Sequence, residues 1–192
     1  MHTSPAAYTD QMLEQYQRFC ANPLRNDATL KEEFEALMRV EGITRVAFMD
    51  DETMVLGTEL ITMVGPKTHK LYEIGEFLIF LFRKRKGRIW EVSFRFHNVT
   101  QTPSQRWKHD GSYYRTEYAH PHILIGDFPS IAVPTGTLCI QQGKFHVYQH
   151  LRKGEIHLAA PIFMQILNSY GPGRPYYPLG HWPKIGGSDA EH

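Results

Sequence analysis

The stretch Phe77-Leu-Ile-Phe-Leu-Phe82 decides the predicted fold class. An apolar run of this length is typical of a central strand that is covered on both faces. From Trp90 to Phe96 apolar and polar residues alternate, which predicts a following strand that buries only one face. The basic stretch 83–88 between them predicts a turn. These residues indicate neighbouring strands within one sheet.

The turn Arg-Lys-Arg-Lys-Gly-Arg, residues 83–88, has two readings. Its charges suit a solvated hairpin tip that also keeps sheet edges from associating. They also suit docking of an acidic partner or of nucleic acid.

Two further strands are predicted upstream. Thr44 to Met49 reads as a strand, residues 50–52 as a turn, and Met54 to Val64 as a second strand. With the strands above, they make an antiparallel sheet of about four strands.

Two helices are predicted before this sheet. Residues 8–21 carry apolar side chains at intervals of three and four, and Pro23 stops the run. Cys20 belongs to that apolar stripe, so we expect its thiol in the core. Thr29-Leu-Lys-Glu32 matches a capping box, which would open a second helix that ends at Gly42. The fold class is therefore α+β, a sheet flanked by helices.

The C-terminal third is predicted in three parts. Residues 144–151 read as a short strand or an irregular flap. Pro161 suits the first turn of a helix that stops at Gly171, because its missing N–H would have no partner there. Residues 171–183 are too rich in Pro and Gly for regular structure, although their aromatic side chains should hold them to the body.

A long polar segment, 98–119, follows the last predicted strand and contains Pro, Gly and several aromatic residues. A loop of this length is usually functional or mobile. It would cover a site or grip a partner's tail, or its aromatic residues would simply pack it down.

The residues best suited to chemistry lie between Tyr118 and Gln142. Cys139 is one of two cysteines and our candidate nucleophile, since a thiolate that a loop presents to donors is reactive. His120 and His122 lie upstream and would face one side of an extended segment. The alternative for Cys139 is a small buried hydrophobe between its apolar neighbours.

A third reading of the same residues is a zinc site. A His-x-His pair is a common half of such a site, and imidazole and thiolate are zinc ligands. The residues that would supply it are His120, His122 and Cys139, with His146, His150 or His157.

Two pairs of motifs resemble those of ubiquitin-conjugating enzymes. His120-Pro-His-Ile123, followed by Gly136-Thr-Leu-Cys-Ile140, resembles that family's His-Pro-Asn-Ile and Gly-x-x-Cys-Leu, in the same order. Gly65-Pro66 and Tyr72-Glu-Ile-Gly-Glu-Phe77 are similar to its Gly-Pro and Tyr-Glu-Gly-Gly-x-Phe. In three respects the chain departs from the family, and the first is a longer loop between the His-Pro and cysteine motifs, residues 124–136. His122 stands where the family has Asn, and the Tyr-Pro and Pro-Pro segment after the third strand is missing.

The resemblance implies a ubiquitin-conjugating-like fold and a divergent, prokaryotic member of the family. It implies an enzyme that accepts a ubiquitin-like modifier as a thioester on Cys139 and transfers it to an amine of a protein substrate. His122 would donate to the oxyanion or orient the loop, and His120 would fix the turn through hydrogen bonds. A catalytically silent adaptor that binds a ubiquitin-like protein is the alternative.

The resemblance also implies the partners. An adenylating activating enzyme would supply the modifier and consume ATP, so the protein itself would need no metal or nucleotide cofactor. The helix predicted after residue 29 would help to bind that enzyme.

Composition bounds the rest. The 192 residues suit one domain, which we place at 1–183 with an N-terminal helical extension, followed by a flexible tail at 184–192. A net charge of +1 gives no global attraction to nucleic acid. Sparse cysteine favours a reducing compartment. No apolar run approaches a membrane span and the N-terminus does not resemble a signal peptide, so we expect a cytoplasmic protein.

Overall fold

The computed structural model describes residues 9–20, 27–86, 89–100, 106–109, 112–115, 120–126, 135–138, 143–170, 179 and 182–185. Along these ranges the elements are α1 (Asp10–Cys20), α2 (Asp27–Met38), β1 (Ile43–Asp50), β2 (Thr53–Thr58), β3 (Ile61–Val64), β4 (Leu71–Gly75), β5 (Phe77–Lys86), β6 (Ile89–Asn98), β7 (Arg106–His109), β8 (Ser112–Arg115), β9 (Ile123–Gly126), β10 (Thr135–Leu138), α3 (Gly143–Lys153) and α4 (Ile156–Asn168).

The main sheet is antiparallel, in the order β1-β2-β5-β6-β10-β9. Its body is a four-stranded antiparallel meander, β1-β2-β5-β6, and the short strands β10 and β9 extend it at one side. The predicted α+β class with helices around an antiparallel sheet is therefore confirmed. β5 lies between β2 and β6, as expected for the apolar run that it contains.

Alternate residues of β5 enter two different clusters. Ile79 and Leu81 join the main core with side chains from all four helices, whereas Phe80 and Phe82 form a small cluster on the other face. α4 contacts β6 through Phe163, whose ring lies 5.0 Å from that of Phe94. The helices therefore cover one face of the sheet, and on the other face Phe80 and Phe82 are buried in the small cluster with Val55.

The strand predicted over 54–64 is two strands in two sheets. β2 ends at Thr58, and β3 pairs with β4 in a separate two-stranded sheet. The hydroxyl of Thr58 accepts a hydrogen bond from the Phe77 N–H at 3.0 Å and donates to the Glu59 carbonyl at 2.8 Å. The Thr58 hydroxyl thus hydrogen-bonds two backbone groups at the point where the chain leaves the main sheet.

Gly75 makes the bend between β4 and β5. Its φ is +127°, and an added Cβ would lie 2.4 Å from the Oδ1 of the buried Asn98. Asn98 donates to the Ile74 carbonyl at 2.8 Å and accepts from the Thr100 N–H at 3.1 Å. Only glycine suits this position without strain.

The N-terminal helices agree with the prediction except at one end. α1 buries Tyr16, Phe19 and Cys20, and the Cys20 thiol lies in the core, 5% exposed, as expected. α2 begins at Asp27, so Thr29 lies inside the first turn and the predicted capping box at Thr29 is wrong.

Two C-terminal predictions are wrong. Residues 144–151 lie in the helix α3, because Val147 and Leu151, four residues apart, are both buried against the core. Pro161 lies in the middle of α4 rather than in its first turn. The buried Ile156, Ala159 and Ala160 extend the apolar stripe upstream of Pro161, and their burial offsets the hydrogen bond that proline removes.

Two segments predicted to be irregular contain strands. β7 and β8 form a hairpin within 98–119, so that segment is not loop throughout. The basic stretch 83–88 also begins inside a strand: β5 continues to Lys86, and the buried Arg83 donates to the Arg18 carbonyl. Residues 87–88 lie outside the described residues, so neither reading of the turn is tested.

The C-terminal segment is held to β4. Trp182 is buried, the Glu73 N–H donates to the Pro183 carbonyl, and the Ile185 N–H donates to the Leu71 carbonyl, both at 2.9 Å. Lys184 forms an isolated antiparallel β-bridge with Tyr72. The predicted flexible tail at 184–192 therefore starts too early, and residues 186–192 lie outside the described residues. Among the described helices none has the length and apolar character needed to cross a membrane.

Candidate functional site

The candidate site is built on the turn His120-Pro121-His122, which leads into β9. The Ile123 N–H donates to the His120 carbonyl at 3.1 Å and closes the turn. β9 pairs with β10 so that Leu138 lies opposite Ile123. The two histidines therefore lie in a turn rather than in the extended segment that their spacing predicted, and their ring centroids are 6.1 Å apart.

His120 is the anchor of this turn and has no exposed surface. Its Nε2 lies 3.1 Å from the Leu167 carbonyl oxygen in α4, and its Nδ1 accepts the His122 N–H at 3.1 Å. Because Nδ1 accepts, the ring proton resides on Nε2 and is donated to Leu167. That carbonyl is one of the last in α4 and has no partner within the helix. The imidazole thus joins the turn to the end of α4.

The two sequence motifs meet at His120. The Phe77 ring, which ends the Tyr72–Phe77 motif, lies edge-on to the His120 ring at 5.8 Å. Motifs that lie far apart in the sequence therefore share one packed contact beneath the turn.

Burial sets the charge of His120. Desolvation lowers the pKa of its imidazole to about 3, although the hydrogen bond to Leu167 opposes the shift. The ring is therefore neutral near pH 7 and its nitrogens are both engaged. His120 can hold the turn but cannot exchange a proton with a substrate in this arrangement.

His122 differs from its neighbour. Its side chain is half-buried, and desolvation also lowers its pKa. The ring lies between His120 and Tyr170, whose ring centroid is 6.0 Å away. Its Nε2 is buried and has no hydrogen-bond partner among the residues that the structure describes. A neutral imidazole carries one N–H donor and one acceptor nitrogen; because Nε2 is shielded, a substrate would meet the ring at Nδ1.

Cys139 follows Leu138 directly in the sequence and lies outside the described residues. Neither its exposure nor its distance from the histidines is described, so the nucleophile and the buried hydrophobe both stay predictions. The described part of the site consists of the turn, the β9–β10 pair and the end of α4.

Three of the histidines proposed for zinc have other polar neighbours. His120 uses both ring nitrogens in hydrogen bonds. His150 Nδ1 lies 2.8 Å from Glu155 Oε2, and His157 Nδ1 lies 3.6 Å from Glu33 Oε2. Within the described ranges, no three His, Cys, Asp or Glu side chains lie close enough together to hold a metal ion. His120 is not a free ligand in this arrangement.

Leu167 and Tyr170 lie in the segment predicted as the helix that stops at Gly171, and no role in the site was expected for either residue. The structure adds a polar role for the Leu167 carbonyl and a ring contact for Tyr170. No local pattern marks either role, since each depends on packing between segments that are distant in the sequence.

No protein-family model, no curated protein and no solved structure matches the chain. The resemblance to ubiquitin-conjugating enzymes therefore rests on the sequence motifs alone.

Proposed function

We propose that this protein is a ubiquitin-conjugating-like enzyme. It accepts the C-terminus of a ubiquitin-like modifier as a thioester on Cys139 and transfers it to an amine of a protein substrate. The observation that carries the proposal is the packed turn His120-Pro121-His122, in which a buried neutral imidazole fixes the backbone just before β9.

The order of elements supports the same proposal. Helices precede a four-stranded antiparallel meander, the His-Pro turn follows it, and two helices come after the cysteine. This is the order that a ubiquitin-conjugating-like fold implies. Relative to that plan, β3–β4 and β7–β8 are additional pairs of strands, and β10 and β9 add two strands to the main sheet.

The chemistry needs positioning more than strong acid–base groups, because a thioester is already activated. The Cys139 thiolate attacks the thioester carbonyl of the modifier, and the thiolate of the activating enzyme leaves. An amine of the substrate then attacks acyl-Cys139, the C–S bond breaks, the Cys139 thiolate leaves, and the amine proton passes to solvent.

His122 supplies the oxyanion contact in this scheme. Its imidazole is held neutral by desolvation, so one ring nitrogen carries a proton and donates it as a hydrogen bond to the carbonyl oxygen as charge develops. Loss of one such donor typically costs about 100- to 1,000-fold in rate. We therefore expect His122→Ala to slow acyl transfer by up to about 1,000-fold. His122→Asn should slow it less than His122→Ala does.

The test is thioester formation. The protein is mixed with a small-thiol thioester of a ubiquitin-like modifier, or with modifier, activating enzyme and ATP, and analysed on a non-reducing gel. We expect an adduct that disappears with thiol reductant, persists in Cys20→Ala and is absent in Cys139→Ala. If modifiers bind but none forms the adduct, the adaptor alternative replaces the enzyme. An adduct that persists in Cys139→Ala would place the chemistry elsewhere.

A further inference from the structure

The end of α4 contacts the His120-Pro121-His122 turn twice. The Leu167 carbonyl accepts from His120, and three residues later the Tyr170 ring lies against His122 at 6.0 Å, tilted by 49°. Both contacts come from the segment where the helix ends, so one structural feature holds both histidines.

The termination of α4 explains how Tyr170 reaches the turn. The helix ends at Asn168, and Ser169 is extended, with φ −105° and ψ 126°. The Ser169 N–H donates to the Ile166 carbonyl, and its hydroxyl donates to the Gln165 carbonyl. These bonds satisfy carbonyl groups at the helix end. Tyr170 therefore follows a defined cap, where it packs partly buried against the core.

The surroundings of His122 are uneven. The side chain as a whole is half-buried, but its Nε2 is shielded and has no partner in the described part of the chain. Its described ring neighbours are His120, which is neutral, and Tyr170. Among the described residues no carboxylate forms an ion pair with it. Nothing in this part of the chain fixes the imidazole by charge, so ring packing carries that role.

We propose that Tyr170 is a positioning residue for His122, holding the imidazole by ring packing and keeping water from its Nε2. The centroid distance is within the usual range for aromatic pairs. A restrained ring keeps its N–H aimed at one place, whereas a loose ring must be ordered in each turnover. The catalytic part of this inference rests on the proposed function; the packing part does not.

The packing part is tested by NMR titration of the His122 ring in the intact chain. In the native protein His122 should titrate below 6.5, the ordinary value for histidine. Tyr170→Ala admits water to the His122 Nε2, so the pKa of His122 should rise towards 6.5. Tyr170→Phe keeps the aromatic ring, so His122 should titrate as in the native protein. Tyr170→Leu, which preserves part of the apolar packing, replaces the alanine variant if that variant does not fold. An unchanged pKa in the variant that lacks the ring overturns the inference.

The catalytic part is tested by a double-mutant cycle on discharge of the thioester to a free amine. We expect Tyr170→Ala to slow discharge about tenfold, Tyr170→Phe to be near native, and Tyr170→Ala to have no further effect in a His122→Ala background. Equal slowing in both backgrounds would mean a general structural role and would contradict the inference. If the native protein forms no thioester, the proposed function fails, and the titration alone decides the packing role.

Discussion

Replacing His120 by alanine should destabilise the fold strongly. The substitution removes one donor and one acceptor from a site with no solvent access. It leaves the Leu167 carbonyl and the His122 N–H without their partner. A buried polar group without a partner costs about 1–3 kcal/mol, so two such groups give about 2–6 kcal/mol before any cavity is counted. Total stabilities of domains are only about 5–15 kcal/mol.

The measurement is urea unfolding at pH 7.5, followed by fluorescence. His146→Ala is the matched control, because His146 is exposed on α3 and the same change there should cost less than about 0.5 kcal/mol. A loss below about 1 kcal/mol in His120→Ala, or one equal to that in the control, would refute the anchoring role of His120. A His120→Ala variant that keeps the native turn at residues 120–123 would also refute the anchoring role.

Three further predictions concern stability. The pKa of His120 is lowered to about 3 in the folded protein, so between pH 6.5 and 3 the unfolded chain binds the extra proton. Stability should therefore fall with acidification by up to about 1.4 kcal/mol per pH unit, and His120→Ala should reduce that slope in unfolding titrations. Gly75→Ala should lower the free energy of unfolding by about 1–3 kcal/mol, because φ at Gly75 is +127° and the Asn98 amide occupies the space of an added Cβ. Gly57→Ala is the control and should cost less. Equal losses in the two variants would contradict this prediction. Pro161→Ala restores a backbone donor inside α4 and should raise the free energy of unfolding by about 2 kcal/mol. The gain in the helix is reduced because the unfolded chain becomes more flexible without proline. An unchanged midpoint of urea unfolding would argue against this prediction.

Periodic patterns in the sequence predicted the elements in which regularly spaced residues face the core. The stripe of α1, the run of β5 and the alternation of β6 each report a face or faces covered by the core. The segment 144–151 was misassigned because its apolar residues alternate loosely; among its described side chains, at 145–151, Val147 and Leu151 are the buried pair, on one helical face. Local alternation does not show which neighbours will cover a residue.

The breaks in the sheet and the partners in the site depend on tertiary contacts. The division of 54–64 follows from the hydroxyl of Thr58 and from the bend at Gly75, neither of which changes the apolar pattern. At the site, the motifs identified His120 and His122 from the sequence. Their partners, Leu167 in α4 and Tyr170 just beyond its end, could not be predicted from spacing because the contacts join segments that are distant in the sequence.

The central claim is that the sulfur of Cys139 is an accessible nucleophile, and native-state alkylation tests it directly. The protein is treated with iodoacetamide over a range of pH, and the modification of Cys139 and Cys20 is followed by peptide mass spectrometry. We expect Cys139 to react in the folded protein while the buried Cys20 reacts only after unfolding. If Cys139 reacts only on unfolding, at the same rate as Cys20, the account is contradicted.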